Sequence, residues 1–575
     1  MMHSVAALLP ALLLPPAPGS SLGPSLSNWF GSAPGARDLL AALPDSTFLA
    51  VHGSDPRALV AARETNDWVA FAMDPEWQAI STLLLGQFDE EAEATEMEGW
   101  RQMLFRALGD STGFVAFVGE GFGDGDPILG IMAEGGDECA ALLRTFVSRS
   151  AAPHVLANGE EVLLSEAGRG ELFHSSDGFV LALSAPSVEA ATRMAVECMA
   201  GLDGPRPAGP FAVPAIADER RPAALEMAVD MSQLWKELER VEEPEGDFQR
   251  RLFDAASSMA WMYASVVFGE GDELDWEFVL PYGAETLLGQ LVGFFGEADR
   301  SLLRAVPARA TGAVVASFDL AAFTEWALAL VREVDPDAAK AVDGALVAAA
   351  ETASVDVLED VLGNATGSFL SFSSPTEDAA AKAAKTLLGA FTLVVAVEDA
   401  EPLVDLVDTL VELGGVGAQA TSDAAPVAGA DEELEIWRFD ESVGARSAVG
   451  AGAGRFVVST DVPAFDDYLA RLAGNTSAGS LLDDPAFAET VERARGAIVS
   501  VQSMGAAADS IVASMRAVGS TLDAAVGIPR STESIRDAVD AMERIALLMK
   551  QYFDGVVLGE LRIEPDRIRY RTTTR

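Results

Sequence analysis

LLRAVPARATGAVVASFDLAAFTEWA, residues Leu302 to Ala327, is the stretch on which the reading of the chain turns. An apolar lead-in meets Pro307, a strand-like run follows, and Asp319 then opens a helix-like run. Leu39 to Ala62, LLAALPDSTFLAVHGSDPRALVAA, has the same plan, with Pro44 before the strand and Asp55 after it. An aspartate at that place can cap the free amides of a first helical turn. Similar text at two places predicts a repeated supersecondary unit.

Further matches follow in the same order. LFRALGDSTGFVAFV (104–118) is echoed by LEDVLGNATGSFLSF (358–372), with a shared Leu-Gly-(Asp/Asn)-x-Thr-Gly at Leu108 to Gly113 and Leu362 to Gly367. GFVLALS (178–184) is echoed by GRFVVST (454–460), each followed by a helix-opening proline, Pro186 and Pro463. ELDWEFVLP (273–281) matches GELRIEPDRIRY (559–570) as a closing alternating strand. Short apolar runs joined by turn text, as at 113–118 and 128–132 around GEGFGDGD, predict antiparallel hairpins. The expected fold is α+β: two related halves, each a largely antiparallel sheet with helices packed on one side. The expected boundaries are a signal peptide at 1–19, a flexible leader at 20–37, and halves at 38–293 and 302–575. Residues 414–433, GGVGAQATSDAAPVAGADEE, read as a low-complexity loop in the second half.

Composition limits the partners. The 575 residues carry 89 acidic and 39 basic side chains, a formal charge of −50. Such a surface repels nucleic acid and anionic lipid, so no nucleic-acid partner is expected. Weak cation binding at the acidic surface is the one ionic interaction it favours. Two cysteines, Cys139 and Cys198, leave no disulfide scaffold and no cysteine-rich metal site. They either form one disulfide in an oxidising compartment or stand as two buried thiols. MMHSVAALLPALLLPPAPGS (1–20) reads as an export signal, with an apolar core at Val5 to Leu14 and small residues at Ala17 to Gly19. That places the chain in the periplasm or outside the cell, and in the cytoplasm if the leader is no signal. No later stretch reads as an integral membrane span.

Chemistry is sparse. GEGFGDGD precedes a strand, PILGIM, where a phosphate loop needs a helix. Its Asp124 and Asp126 lack the spacing and closing glutamate of a calcium loop. His3, His52, His154 and His174 form no metal-binding pair at helical spacing. His174-Ser175-Ser176-Asp177 sets a base beside hydroxyls in sequence, which is not how a triad is assembled. No cofactor and no catalytic residue is expected. The repeated turn supplies the only candidate site residues: Asp110, Thr112 and Gly113, with Asn364, Thr366 and Gly367. They either line a groove or hold a helix-to-strand turn by capping and side-chain bonding. The tryptophans sit in apolar text and are assigned to the core.

VLEDVLGNATGSFLSF (357–372), LGAFTLVVAVEDAEPLVDLVDTL (388–410) and GRFVVSTDVPAFDDYLARL (454–472), with Leu302 to Trp326, resemble the DUF3352 family. The resemblance covers much of 302–575 and, more faintly, 39–280. It implies a largely bacterial, often exported protein with no established activity and no catalytic residue to carry over. The expected function is an exported, non-enzymatic binding or structural protein whose partner is an unidentified protein or small ligand. The alternative is a carboxylate- or metal-dependent hydrolase acting outside the cytoplasm.

Overall fold

The computed structural model describes residues 39–56, 61–77, 111–119, 128–134, 151–155, 161–165, 171–175, 178–184, 190, 193–194, 196–198, 209–239, 250, 258–271, 273–353, 355–374, 391–413, 420–439, 447–475, 477, 479–509, 511–512, 515–516, 531–553 and 555–574. The leader at 1–37, the GEGFGDGD turn (119–126) beyond Gly119, and Cys139 lie outside them. The chain divides into two compact units, one of Met1–Thr286 with Asp566–Ile568, the other of Leu287–Pro565 with Arg569–Arg575. The division falls at Thr286, ahead of the 293 at which the sequence ends the first half.

Among the described residues the first unit carries ten strands: β1 (Leu49–Gly53), β2 (Gly113–Val118), β3 (Leu129–Glu134), β4 (Ala151–Val155), β5 (Glu161–Ser165), β6 (Glu171–Ser175), β7 (Gly178–Ser184), β8 (Leu225–Asp230), β9 (Trp261–Phe268) and β10 (Leu274–Pro281). They pair antiparallel in the order β4-β5-β6-β7-β3-β2-β1-β8-β9-β10. Side chains alternate across a strand, so register fixes which residues share a face. Ala50 lies opposite Ala228, and Ala228 opposite Tyr263. These residues, with Val115, Phe117, Met132 and Val279, form one buried cluster with Leu39, Leu40, Leu43, Phe211 and Ile216. Ile216 sits on a short helix, Pro214–Glu219, whose proline occupies the first turn where its missing N–H costs nothing. Cys198 is a buried free thiol in this cluster, and burial pushes its pKa up.

Two glycines make room for rings in this sheet. Gly53 faces Phe114 and Gly130 faces Phe117 directly across β1–β2 and β2–β3. A Cβ at either glycine would overlap the facing ring. Sequence reading places no special demand on these positions; the cross-strand pairing creates it.

The second unit carries β11 (Gly312–Ser317), β12 (Ala365–Ser373), β13 (Phe391–Val397), β14 (Ala420–Pro426), β15 (Glu433–Phe439), β16 (Ser447–Gly452), β17 (Arg455–Ser459), β18 (Ile498–Ser503), β19 (Val556–Ile563) and β20 (Arg567–Thr574). The antiparallel order is β14-β15-β16-β17-β13-β12-β11-β18-β19, with β20 paired to β19. Two expectations are corrected here. Residues 420–426, inside the stretch read as a loop, are a strand whose backbone pairs with β15 from Ala420↔Phe439 to Pro426↔Glu433. Ladder bonds use only the backbone, so an alanine- and serine-rich strand with a terminal proline forms where one side needs no pairing.

Helices also cover this sheet on both faces, where one was expected. Val394, Ile436 and Val457 join a core with Phe465 and Tyr468 of helix Val462–Leu472 and with Phe487 and Val491 of helix Pro485–Arg493. Their chain neighbours Val395, Trp437 and Phe456 join Val397, Ala400, Leu403 and Val407 beneath helix Glu401–Leu413. Consecutive apolar residues on the inner strands, as in FTLVVAV, supply two buried faces.

Candidate functional site

The densest polar cluster in the first unit grows from one line of residues across four strands. His52 lies opposite Glu226, Glu226 opposite Ser265, and Ser265 opposite Glu277. All four therefore share the face that carries the core. Above them the chain leaves helix Pro214–Glu219 through Arg220 and Arg221. Arg220 donates from Nε to Glu226 Oε1 and from Nη2 to Oε2, both at 2.9 Å. Tyr263 donates its hydroxyl to Oε1 at 2.9 Å, and His52 Nδ1 stands 3.0 Å from Oε2. Arg220 also lies 5.2 Å from the Phe211 ring centroid, and the His52 ring meets that ring edge-on. Arg221 donates to Ser265 Oγ at 2.9 Å and to Asp275 Oδ2 at 3.2 Å, with Glu277 Oε2 at 3.5 Å.

Glu226 is 4% exposed. Burial alone would raise its pKa, but hydrogen bonds from His52 and Arg220, with the Arg220 charge, outweigh it and hold the carboxyl down at about 2. An ionised carboxylate only accepts, so His52 carries hydrogen on Nδ1. Burial, then the Glu226 charge, pushes Tyr263 well above the usual phenol value. Four donors meet the four lone-pair sites of one carboxylate. This arrangement clamps strands and loop together and leaves Glu226 no oxygen for a substrate. In the second unit Glu560, also buried, takes a bidentate bond from Arg562 at 2.9 and 2.8 Å and a backbone bond from Arg495.

The described residues among those singled out from sequence bond the backbone of neighbouring strands and turns. Asp110 lies outside the described residues. Thr112 donates from N and Oγ1 to Glu134 O at 2.8 and 3.2 Å, and Gly113 opens β2 beside it. Asn364 is buried. Its Nδ2 donates to Asp360 O and Asp399 O, while its Oδ1 accepts from Glu398 N at 3.1 Å and Asp399 N at 2.8 Å. Thr366 donates to Ala396 O at 3.2 Å. Gly367 holds φ +86, a left-handed conformation that suits glycine, and accepts from Phe318 N at 2.7 Å.

Asn364 anchors a helical layer that sequence reading did not mark as a site. Helix Leu320–Val334 packs on helix Pro336–Ala353, and both pack on the π-helical turn Val357–Leu362. That turn and the second helix also pack on Glu401–Leu413. Aspartates start each piece. Asp319 accepts from Ala322 N at 2.9 Å, Asp335 from Ala338 N at 2.9 Å, Asp356 from Leu358 N at 2.8 Å and Asp399 from Glu401 N at 3.0 Å. At the root of the first helix five rings meet: Phe294, Phe295, Phe318, Phe323 and Trp326, with centroids 4.8 to 6.3 Å apart. All five are half-buried, and Trp326 Nε1 donates to Gln290 Oε1 at 2.7 Å. Helix Leu320–Val334, LAAFTEWALALVREV, has no buried residue. On the helix packed against it Val342 and Val347 stand 39% and 58% exposed, and on Glu401–Leu413 Leu410 stands 55% exposed.

Among the described residues no group of three or more His, Cys, Asp or Glu is placed to hold a metal ion. No described helix is long and apolar enough to cross a membrane. No family model and no curated protein matches the chain. Two solved structures of TP0453 are similar to part of it. Crystal form IV matches with TM-score 0.24 and 10% identity over 43% of this chain and 81% of that one. Crystal form III matches with TM-score 0.25 and 11% identity over 44% and 82%. A likeness of that size carries no weight for fold or function.

Proposed function

We propose that this chain is an exported binding protein whose contact surface is the helical layer of the second unit. One observation carries the reading: a fifteen-residue, largely apolar helix, Leu320–Val334, that buries none of its residues. A surface helix ordinarily hides its apolar stripe in the core. Exposed apolar residues grouped on neighbouring elements mark contact surfaces. Glu226, its oxygens filled by Arg220, Tyr263 and His52, is not the carboxylate that the hydrolase alternative needs. The leader supports export. The two units fit descent from one ancestral unit, because their strand orders coincide position by position from β4 to β9 and from β14 to β19. In each, a 3-10 turn and a proline-started helix precede the strand beside β1 or β11. A divergent relationship to the DUF3352 family belongs to the same proposal.

Titration with the neutral apolar dye Nile red tests the surface. The expected result is a blue-shifted emission rise that falls away in the paired substitution Val347→Asp and Leu410→Asp. Dye binding that ignores those substitutions would sink the assignment. Intact mass of the protein from its native source tests export: loss of about the first nineteen residues is expected.

A further inference from the structure

We propose that the helical layer of the second unit docks a basic amphipathic segment of another protein. The inference rests on the binding reading above and names the partner. Apolar contact points alone do not choose an occupant; the charge around them does. Among the described residues of 320–413, every ionisable side chain other than Arg332 and Lys340 is a carboxylate. Both cations are already held within the layer, Arg332 by Asp343 at 2.7 Å and Lys340 by Asp337 at 2.8 Å. Asp319, Asp335, Asp356 and Asp399 spend an oxygen on helix starts. Glu325, Glu351, Asp405 and Glu412 stand exposed on the helices themselves. The layer thus exposes apolar side chains at Val342, Val347 and Leu410 and carboxylates at Glu325, Glu351, Asp405 and Glu412.

Its complement alternates apolar residues with Lys or Arg at helical spacing, seating the apolar side chains while the cations meet the carboxylates. An anionic membrane is repelled. A second copy of the chain brings the same sign of charge to the contact. A cationic segment gains from both kinds of group at once.

The test uses the full chain and a fluorescein-labelled 18-residue helical peptide of Leu and Lys, read by anisotropy at about 0.15 M salt, where long-range attraction is screened. Saturable binding is expected. The Val347→Asp, Leu410→Asp protein should bind about tenfold more weakly, although it carries two further negative charges. Equal or tighter binding by that variant means general charge attraction and overturns the proposal. So does equal binding of a Leu/Glu peptide, flotation of the chain with phosphatidylcholine vesicles, or self-association abolished by the same substitutions. If the variant loses helix content by circular dichroism, Glu351→Lys with Asp405→Lys decides, and unchanged affinity overturns. Nile red binding without peptide binding ends this inference alone; failure of both ends the binding reading too.

Discussion

Replacing Glu226 by Gln is expected to destabilise the first unit by about 1–3 kcal/mol, because the half-buried Arg220 loses its charged acceptor. Denaturant midpoints of the two proteins at neutral pH measure it. The same carboxyl sets an acid limit. Its pKa in the folded state is about 2, against an ordinary 4.5, so its contribution is fully present above about 4.5. It is lost as pH falls from there through 2, on the order of 3 kcal/mol. Unfolding free energy followed from pH 6 to 2.5 should fall less steeply in E226Q than in the parent. A parallel fall would show that other carboxylates dominate. Nothing in the letters joins His52 to Glu226, which lie 174 residues apart. Only the strand register makes them neighbours. That the histidines form no pair at helical spacing therefore left this carboxylate partner of His52 unseen, for want of strand pairing.

Elements were more legible than contacts. Gly113 to Val118 and Ile128 to Met132 read as a hairpin from apolar runs and turn residues, and β2 and β3 pair from Gly113↔Glu134 to Val118↔Leu129. Asp319 read as a helix start and caps one. Edge strand β14 was hidden because backbone pairing leaves no apolar alternation to see. The two-faced burial of the second sheet was visible in FTLVVAV but was not used. Asn364, which the sequence offered as a groove or turn residue, bonds the backbone at Asp360, Glu398 and Asp399, and the worth of those bonds can be measured. Asn364→Ala strands the Asp399 backbone N–H, while Glu398 N keeps the Asn364 carbonyl at 3.0 Å, and is expected to cost about 1–3 kcal/mol. Hydrogen exchange should then quicken at the start of helix Glu401–Leu413 before it does in β15. The β16–β17 hairpin turns through Ala453 and Gly454, both left-handed at φ 48 and 70. Glycine suits that conformation better than alanine, so Ala453→Gly is expected to stabilise by about 1 kcal/mol, read as a raised melting temperature.

At the scale of the molecule, each unit has its own buried cluster. Ile216→Ala in the first is expected to cost about 2–5 kcal/mol, and Phe465→Ala in the second about 3–5 kcal/mol. Hydrogen exchange should place the first loss in β1, β8 and β9, and the second in β13, β16 and β17. Exchange that quickens evenly over both sheets from either substitution would contradict separate cores. The recurring text around Leu108 and Leu362, on which the proposed common descent of the units rests in part, was legible in the letters. The helical layer was not, because LAAFTEWALALVREV reads as an ordinary amphipathic helix. Only the burial of each residue separates a stripe hidden in a core from one left half-open.

The facing of Phe114 by Gly53 and Phe117 by Gly130 has a dynamic outcome. Each buried ring occupies the space that a Cβ on the facing strand would take, so turning it over must push that strand aside. Both rings should reorient slowly enough for the two edges of each to give separate proton resonances, where a freely spinning phenylalanine shows one averaged set.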